Sequence, residues 1–420
     1  MKKILSILLV LAMLATLAAC GATSNVSDVE SDSEAVVDES VSDTVADEVS
    51  ADADFKVGFI FLHDENSTYD KNFMDAAKAA QAELGLTDEQ VLFKVGIDES
   101  NACYEAAAEL VDEGCDLVFA DSFGHETYMI QAAQEFPEVQ FAHATGTKSQ
   151  VENLPNYHNA FASIYEGRYL AGVAAGMKLN EMIADGKITA EQAKIGYVGA
   201  FDYAEVVSGL TSFFLGARSI CESATMEVIF TNSWFDIALE KEAAINLMDS
   251  DCVLISQHAD SEGAPKACEE RGVPNVAYNI STNSIAPTTA LISSKIDWTP
   301  YFKMIIEAAK NGESFETDWC GNIETGSVIL TELNEAVAAE GTAEKIEEVK
   351  AGLLDGSIKV FDTSKFTVNG EELTEYLADV VDMGDFVPET NVIKDGAFDE
   401  SALRSAPYFD IKFIDGITRK

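Results

Sequence analysis

The chain has 420 residues, of which 73 are acidic and 27 basic, giving a net charge of −46. That balance argues against nucleic acid and against an anionic membrane surface as partners. The length left after a low-complexity N-terminal stretch fits two domains, each large enough for its own core.

Residues 1–20 read as a targeting segment. Lys2 and Lys3 precede an apolar run over residues 4–17 that is short for a bilayer span. The run ends Leu17-Ala18-Ala19-Cys20-Gly21, the form of a bacterial lipobox, with an ordinary signal peptide and a chance Cys as the alternative. Lipidation of Cys20 would hold the mature chain on the outer face of the membrane. Residues 21–55 contain no Lys or Arg and one aromatic, Phe55, which predicts a solvated acidic tether.

A first α/β lobe is expected over residues 56–160. Val57, Phe59, Ile60, Phe61 and Leu62 form a continuous apolar strand, followed by the loop His63-Asp64-Glu65-Asn66-Ser67-Thr68 and a helix over 69–84. Such runs suit a parallel sheet covered on both faces, whose ligands sit beyond the carboxyl ends of the strands. Residues 161–190 read as a connecting helix region; Gly172 and Gly176 lower helix propensity there and predict close packing against another backbone.

A second lobe over 191–290 echoes the first. Lys194-Ile195-Gly196-Tyr197-Val198 matches Lys56-Val57-Gly58-Phe59-Ile60, and each copy is followed by an Asp, Asp202 or Asp64. Strand, helix and loop then alternate in the same phase, with Asp121-Ser122-Phe123-Gly124-His125 answered by Gln257-His258-Ala259-Asp260-Ser261. The expected fold class is therefore α/β, two Rossmann-like lobes with parallel sheets and a ligand cleft between them, as in periplasmic-type binding proteins that close by a hinge. Residues 291–420 are expected to complete the lobes and hinge, with a helix over 342–354 and a strand at Ile358-Lys359-Val360-Phe361-Asp362-Thr363.

Six cysteines besides Cys20 permit disulfides or free buried thiols. None has zinc spacing, and no cofactor or metal is expected. Nucleophile elbow, P-loop, GxGxxG and HExxH patterns are lacking. A Ser122/His143/Asp121 set can be assembled, as in any α/β chain of this size, and an enzyme is not expected.

The lipobox, the strand–loop–helix near residue 60, FASIYEGRYLAGVAAGM (161–177), IGYVGAFD (195–202) and SSKIDW (293–298) together resemble the basic membrane protein (BMP) family of substrate-binding lipoproteins. That family includes purine nucleoside receptors feeding ABC importers. The resemblance implies a purine-type ligand between aromatic rings, an ABC permease as membrane partner, and a monomer. Its first-loop pattern falls on Ser67, Thr68, Tyr69 and Asp70, making Tyr69 the stacking aromatic. Ser122 and Phe123 follow from the third strand, and Phe201 or Trp234 is the second aromatic. The family's Lys falls on Lys295. Its ribose-gripping Asp is replaced by Asn279, which leaves both nucleobase and nucleoside open. Asn232 and Asp260, on strand-end loops, suit hydrogen bonding to a ring edge; capping is the alternative role for such acids. The other functions weighed are a ligand-sensing domain of the same fold and an exported α/β hydrolase.

Overall fold

In the computed structural model, residues 54–381 and 387–420 are described. Cys20 and the acidic tether up to residue 53 lie outside them. Among the described residues no helix is long and apolar enough to cross a membrane.

The first lobe runs β1 (Val57–Phe61), α1 (Thr68–Leu84), β2 (Val91–Val95), α2 (Asn101–Asp112), β3 (Leu117–Ala120), α3 (Glu126–Glu135), β4 (Gln140–Ala144), the single turn α4 (Ser149–Glu152) and β5 (Tyr157–Ala162). The chain crosses on α5 (Ile164–Ala184) into β6 (Lys194–Gly199), α6 (Ala204–Ile220), β7 (Thr225–Phe230), α7 (Ile237–Met248), β8 (Leu254–Gln257), α8 (Gly263–Arg271), β9 (Asn275–Tyr278) and β10 (Ala290–Ile296). It returns on α9 (Thr299–Asn311) to β11 (Asp318–Gly321) in the first sheet, then to β12 (Val328–Leu330) in the second, before α10 (Thr342–Leu354).

The sequence echo is a topological repeat. The first sheet contains the order β2-β1-β3-β4-β5 and the second β7-β6-β8-β9-β10, all parallel. Each of these orders places the first strand of its repeat between the second and third, so the loops after β1, β3, β6 and β8 share one edge. Among the described residues of these two sheets, only β12 runs antiparallel, at the outer edge beside β10. The apolar continuity of β1 has the cause inferred from sequence: Val57, Phe59 and Phe61 enter one core and Ile60 the core on the opposite face.

Residues 161–162 end β5, and α5 carries the chain from the first sheet to the second, packing on α6 and β10 on the way. One assignment differs from expectation. The stretch 358–363 is not a strand; it carries a turn, one isolated bridge from Asp362 to Ala397, and a 3-10 turn at Thr363–Lys365. Its apolar side chains Val360 and Phe361 are buried by irregular backbone rather than by a sheet.

The C-terminal segment crosses from one lobe to the other. On the first, Ser405 donates from N and Oγ to Asp318 at 2.8 and 2.5 Å, and accepts from Asn159 Nδ2 at 2.9 Å. On the second, Lys412 Nζ reaches Asp202 at 3.0 Å, Arg218 donates to the Asp415 carbonyl at 2.9 Å, and residues Ile417–Arg419 add a parallel strand beside β7. All six cysteines from Cys103 to Cys320 are free; burial pushes the Cys115 and Cys252 thiols up to about 12.

Candidate functional site

The lobes are shut on each other. Thr68 N–H, at the start of α1, donates to the carbonyl of Asp260 beyond β8 at 2.7 Å. His63 faces Phe235 with ring centroids 5.4 Å apart, and Phe123 faces Tyr203 at 6.0 Å. Between these contacts lies a slot lined by Leu62, His63, Tyr69, Asp70, Ser122, Phe123, Thr145, Glu205, Trp234, His258 and Asp260. The walls come so close that the free space is about 20 Å³, room for little more than one water. A ring-sized ligand therefore requires the lobes to part.

Six of the residues singled out from sequence line this slot: Tyr69, Asp70, Ser122, Phe123, Trp234 and Asp260. Tyr69 packs edge-on against Phe73 at 4.8 Å and donates its hydroxyl to the Asp121 carbonyl at 2.9 Å, which fixes the ring. Ser122 Oγ donates to Glu99 at 2.6 Å. His143 Nε2 meets the Ser122 carbonyl, not its hydroxyl, at 2.6 Å, so Ser122, His143 and Asp121 are not arranged as nucleophile, base and acid.

The other six sit around the slot rather than in its wall. Ser67 caps α1, its hydroxyl bonding Asp70 at 2.5 Å, while Thr68 contributes the backbone bond to Asp260. Phe201 stacks on Tyr203 and meets Trp234 edge-on at 4.9 Å, supporting that ring from behind. Asn232 and Asn279 both hold positive φ, 56° and 69°, directly after strand ends, a conformation that Asn tolerates better than most side chains. Asn279 Nδ2 also donates to Asp260 Oδ1 at 3.2 Å, so it positions a slot residue. Lys295 lies on β10 in register with Ile329 of the antiparallel edge strand and does not line the slot.

On the first lobe, Asp70 of the slot wall is coupled to the buried Asp121. Asp70 accepts from His63 N–H at 2.7 Å and from Ser67; burial would raise it, but these bonds outweigh burial and hold it below the usual range. Asp121, wholly buried, is pushed well up by burial and then by the Asp70 charge. The two carboxyls thus resist ionising together, as close acidic pairs do.

The second lobe supplies a group that sequence reasoning missed. Arg168 of α5 is buried, with its guanidinium 3.5 Å above the Tyr278 ring, and donates to the Gln257 carbonyl at 2.9 Å and to His258 Nδ1 at 3.0 Å. Arginine only donates, so Nδ1 carries the lone pair and Nε2 the proton. That Nε2 points at Glu205, 3.5 Å away. Burial lifts Glu205 to about 7 against the pull of Arg168, and lifts Asp260 well above the carboxylate range. Arg168 follows Glu166-Gly167 inside a quoted motif, but nothing in one sequence announces that its partners come from β8 and α6. Among the described residues no cluster of His, Cys, Asp and Glu is placed to hold a metal.

Comparison with known proteins places this geometry. The profile described as "ABC transporter substrate-binding protein PnrA-like" (Bmp) matches residues 60–360. A purine-binding protein of Brucella abortus is 31% identical over 331 residues, 77% of this chain and 89% of that protein. A Haloferax volcanii protein named for glucose binding in an ABC transporter is 34% identical over 258 residues, 61% of this chain. The match spans 62% of the Haloferax protein. Two solved solute-binding proteins of ABC transporter systems share the fold. That of Aeropyrum pernix K1 has TM-score 0.60 at 18% identity, covering 73% of this chain and 93% of its own. That of Conexibacter woesei has 0.58 at 19%, covering 73% and 98%.

Proposed function

Because the chain belongs to the Bmp family of PnrA-like ABC transporter substrate-binding proteins, we propose that its interlobe slot takes a purine-type heterocycle and hands it to an ABC permease. The observation that carries this reading is the slot itself. Tyr69, Phe123 and Trp234 offer ring faces, and Asp70, Glu205 and Asp260 offer acceptors at their edges. Stacking on fixed rings holds a flat ligand at little entropic cost, while buried acceptors select for N–H groups at its rim. The purine-binding relative supports the same class.

Lipidation of Cys20 would keep the receptor beside its permease on the outer face of the membrane, with the acidic tether as spacer; the pattern of residues 1–21 supports this. Incorporation of labelled palmitate, lost in Cys20→Ala, is the check on that step.

The relative named for glucose binding makes a sugar the competing ligand. Calorimetry against adenine, guanine, hypoxanthine, their nucleosides and glucose separates the two. Heat with a purine and none with glucose is the expected result; the reverse, or no heat with any purine, overturns the purine assignment.

A further inference from the structure

Closing the lobes forces acids together. Asp70 of the first lobe and Glu205 and Asp260 of the second all line the slot, where the free space is about 20 Å³. Among the described residues lining it there is no Lys or Arg. Asp70 and Asp260 are 1% and 5% exposed, and the Glu205 side chain 13%. Like charges in so dry a gap repel strongly, because little water remains to screen them.

The groups packed around these acids offset little of that repulsion. Asp70 takes bonds from His63 N–H and Ser67, lies beside the buried Asp121, and has the His63 ring nitrogen 3.4 Å away. Asp260 meets Glu240 of α7 as well as Asp70 and Glu205, with Arg168 as the opposing cation. Around Glu205 stand Arg168, His258, Tyr69 and Tyr278. The Arg168 guanidinium already bonds the Gln257 carbonyl and His258 and lies over the Tyr278 ring. The C-terminal segment forms an outer wall beside Glu205, where Asp202, Asp379, Arg404, Asp410 and Lys412 gather. There Arg404 donates to the Ala406 and Pro407 carbonyls, Lys412 to Asp202, and Asp410 accepts from Tyr376.

We infer that the lobes close with uptake of protons, so that the empty receptor is shut in acid and parts as pH rises. Parting the lobes lets water reach Glu205 and Asp260, and in water both ionise in the ordinary carboxylate range. Closure lifts Glu205 to about 7 by burial, against the pull of Arg168. It lifts Asp260 well above the carboxylate range, by burial first and then by the Glu240 and Asp70 charges. An acid raised in the closed state favours closure fully below its open-state pKa. That contribution is lost as pH climbs through the closed-state value. Only parted lobes admit a ligand, so the open fraction scales the apparent affinity, which falls in acid. The inference holds whichever ligand the slot takes.

The test is X-ray scattering of the full chain, dialysed exhaustively to remove ligand, from about pH 5.5 to about pH 8 at constant salt. The radius of gyration of the parent is expected to rise with pH. Glu205→Gln and Asp260→Asn put permanent neutral groups where the protonated acids stand. Each should stay near the parent's acid value, with the rise cut to about half or less. His63→Gln should leave the rise in place, since the carboxyls and not the ring carry the switch. A parent radius that is constant across the range overturns the inference. So does a rise that persists in full in both acid variants, or one abolished by His63→Gln alone. Acid variants fixed at the parent's alkaline radius throughout overturn it as well.

Discussion

Thr68 and Asp260 are joined by a backbone hydrogen bond of 2.7 Å although they belong to different lobes and sit 192 positions apart in sequence (260 − 68). The bond runs from the first residue of α1 to the loop after β8, so it ties the region after the first strand of one repeat to the region after the third strand of the other. Beside it, Asn72 Nδ2 donates at 2.8 Å to the Ile296 carbonyl at the end of β10, where the chain recrosses. Closure therefore uses direct contacts between the lobes.

Thr68→Pro isolates that contact. Proline is tolerated at the first helical position, and Ser67 already holds the extended conformation, φ −76° and ψ 125°, that a residue before proline adopts. The substitution deletes one N–H and should weaken closure by about 0.5–1.5 kcal/mol. X-ray scattering of the ligand-free variant is expected to give a larger radius of gyration than the parent. An identical scattering curve would show that the bond does not latch the lobes.

Trp234→Ala tests the stacking wall. The ring is held from behind by Phe201 at 4.9 Å, so truncation removes a preset face rather than a mobile one. Loss of one stacking ring should weaken binding of the best purine by about 1–3 kcal/mol. Affinity within twofold of the parent would place the ligand elsewhere in the cleft.

Much of this was legible in the sequence because it depends on short-range pattern. The paired strand–loop–helix units read directly as the shared strand order of the two sheets, and the strand-end rule led to Tyr69, Phe123, Trp234 and Asp260. What stayed hidden depends on which segments meet. Arg168, His258 and Glu205 come from α5, the loop after β8 and α6, and no spacing encodes their contact. Asn232 and Asn279 read as ligand groups from sequence, and their positive φ, which no spacing reveals, gives Asn a backbone role as well. The C-terminal wall was illegible for another reason: its buried side chains sit on turns and two-residue ladders, which leave no periodicity to read.

Stability should fall as pH rises above neutrality. Burial lifts Glu205 and Glu240 to about 7 and Glu400 to about 8, from an ordinary 4.5. A carboxyl raised in the folded state contributes stability that is complete below its unfolded pKa and is lost as pH passes the folded one. The buried histidines work the other way: His125 and His143, lowered to about 4 from 6.5, each return about 0.4 kcal/mol above pH 6.5, where the unfolded imidazole is half protonated. Between pH 6.5 and 8.5 the carboxyls outweigh this, and Glu205 accounts for about 1 kcal/mol of the decline. Chemical denaturation of Glu205→Gln at both pH values should show a decline smaller by about that amount. An unaltered decline would mean that Glu205 titrates as an exposed acid.

The last prediction concerns the joint between α5 and α6, on which the second lobe is built. Gly172 and Gly176 were expected to lie against another backbone, and a Cβ on either would come within 2.0 Å of the Phe213 carbonyl oxygen or 2.5 Å of that of Ala217. The contact is reciprocal: a Cβ on Gly216 of α6 would stand 2.0 Å from the Tyr169 carbonyl oxygen of α5. Two effects then oppose each other in Gly216→Ala. Helix propensity favours Ala by about 1 kcal/mol, while overpacking of this kind costs about 1–3 kcal/mol and falls here on backbone, which yields less than a side-chain tip. The clash should win, because α5 also carries Arg168 and a shift of the helix would break its bonds to β8. Gly216→Ala is expected to lower the denaturation midpoint and to weaken ligand binding together, whereas Gly186→Ala, at an open αL position with φ 68°, should lower the midpoint alone. Equal or higher stability in Gly216→Ala would show that the two helices can separate without cost, and that the joint does not set the geometry of the second lobe.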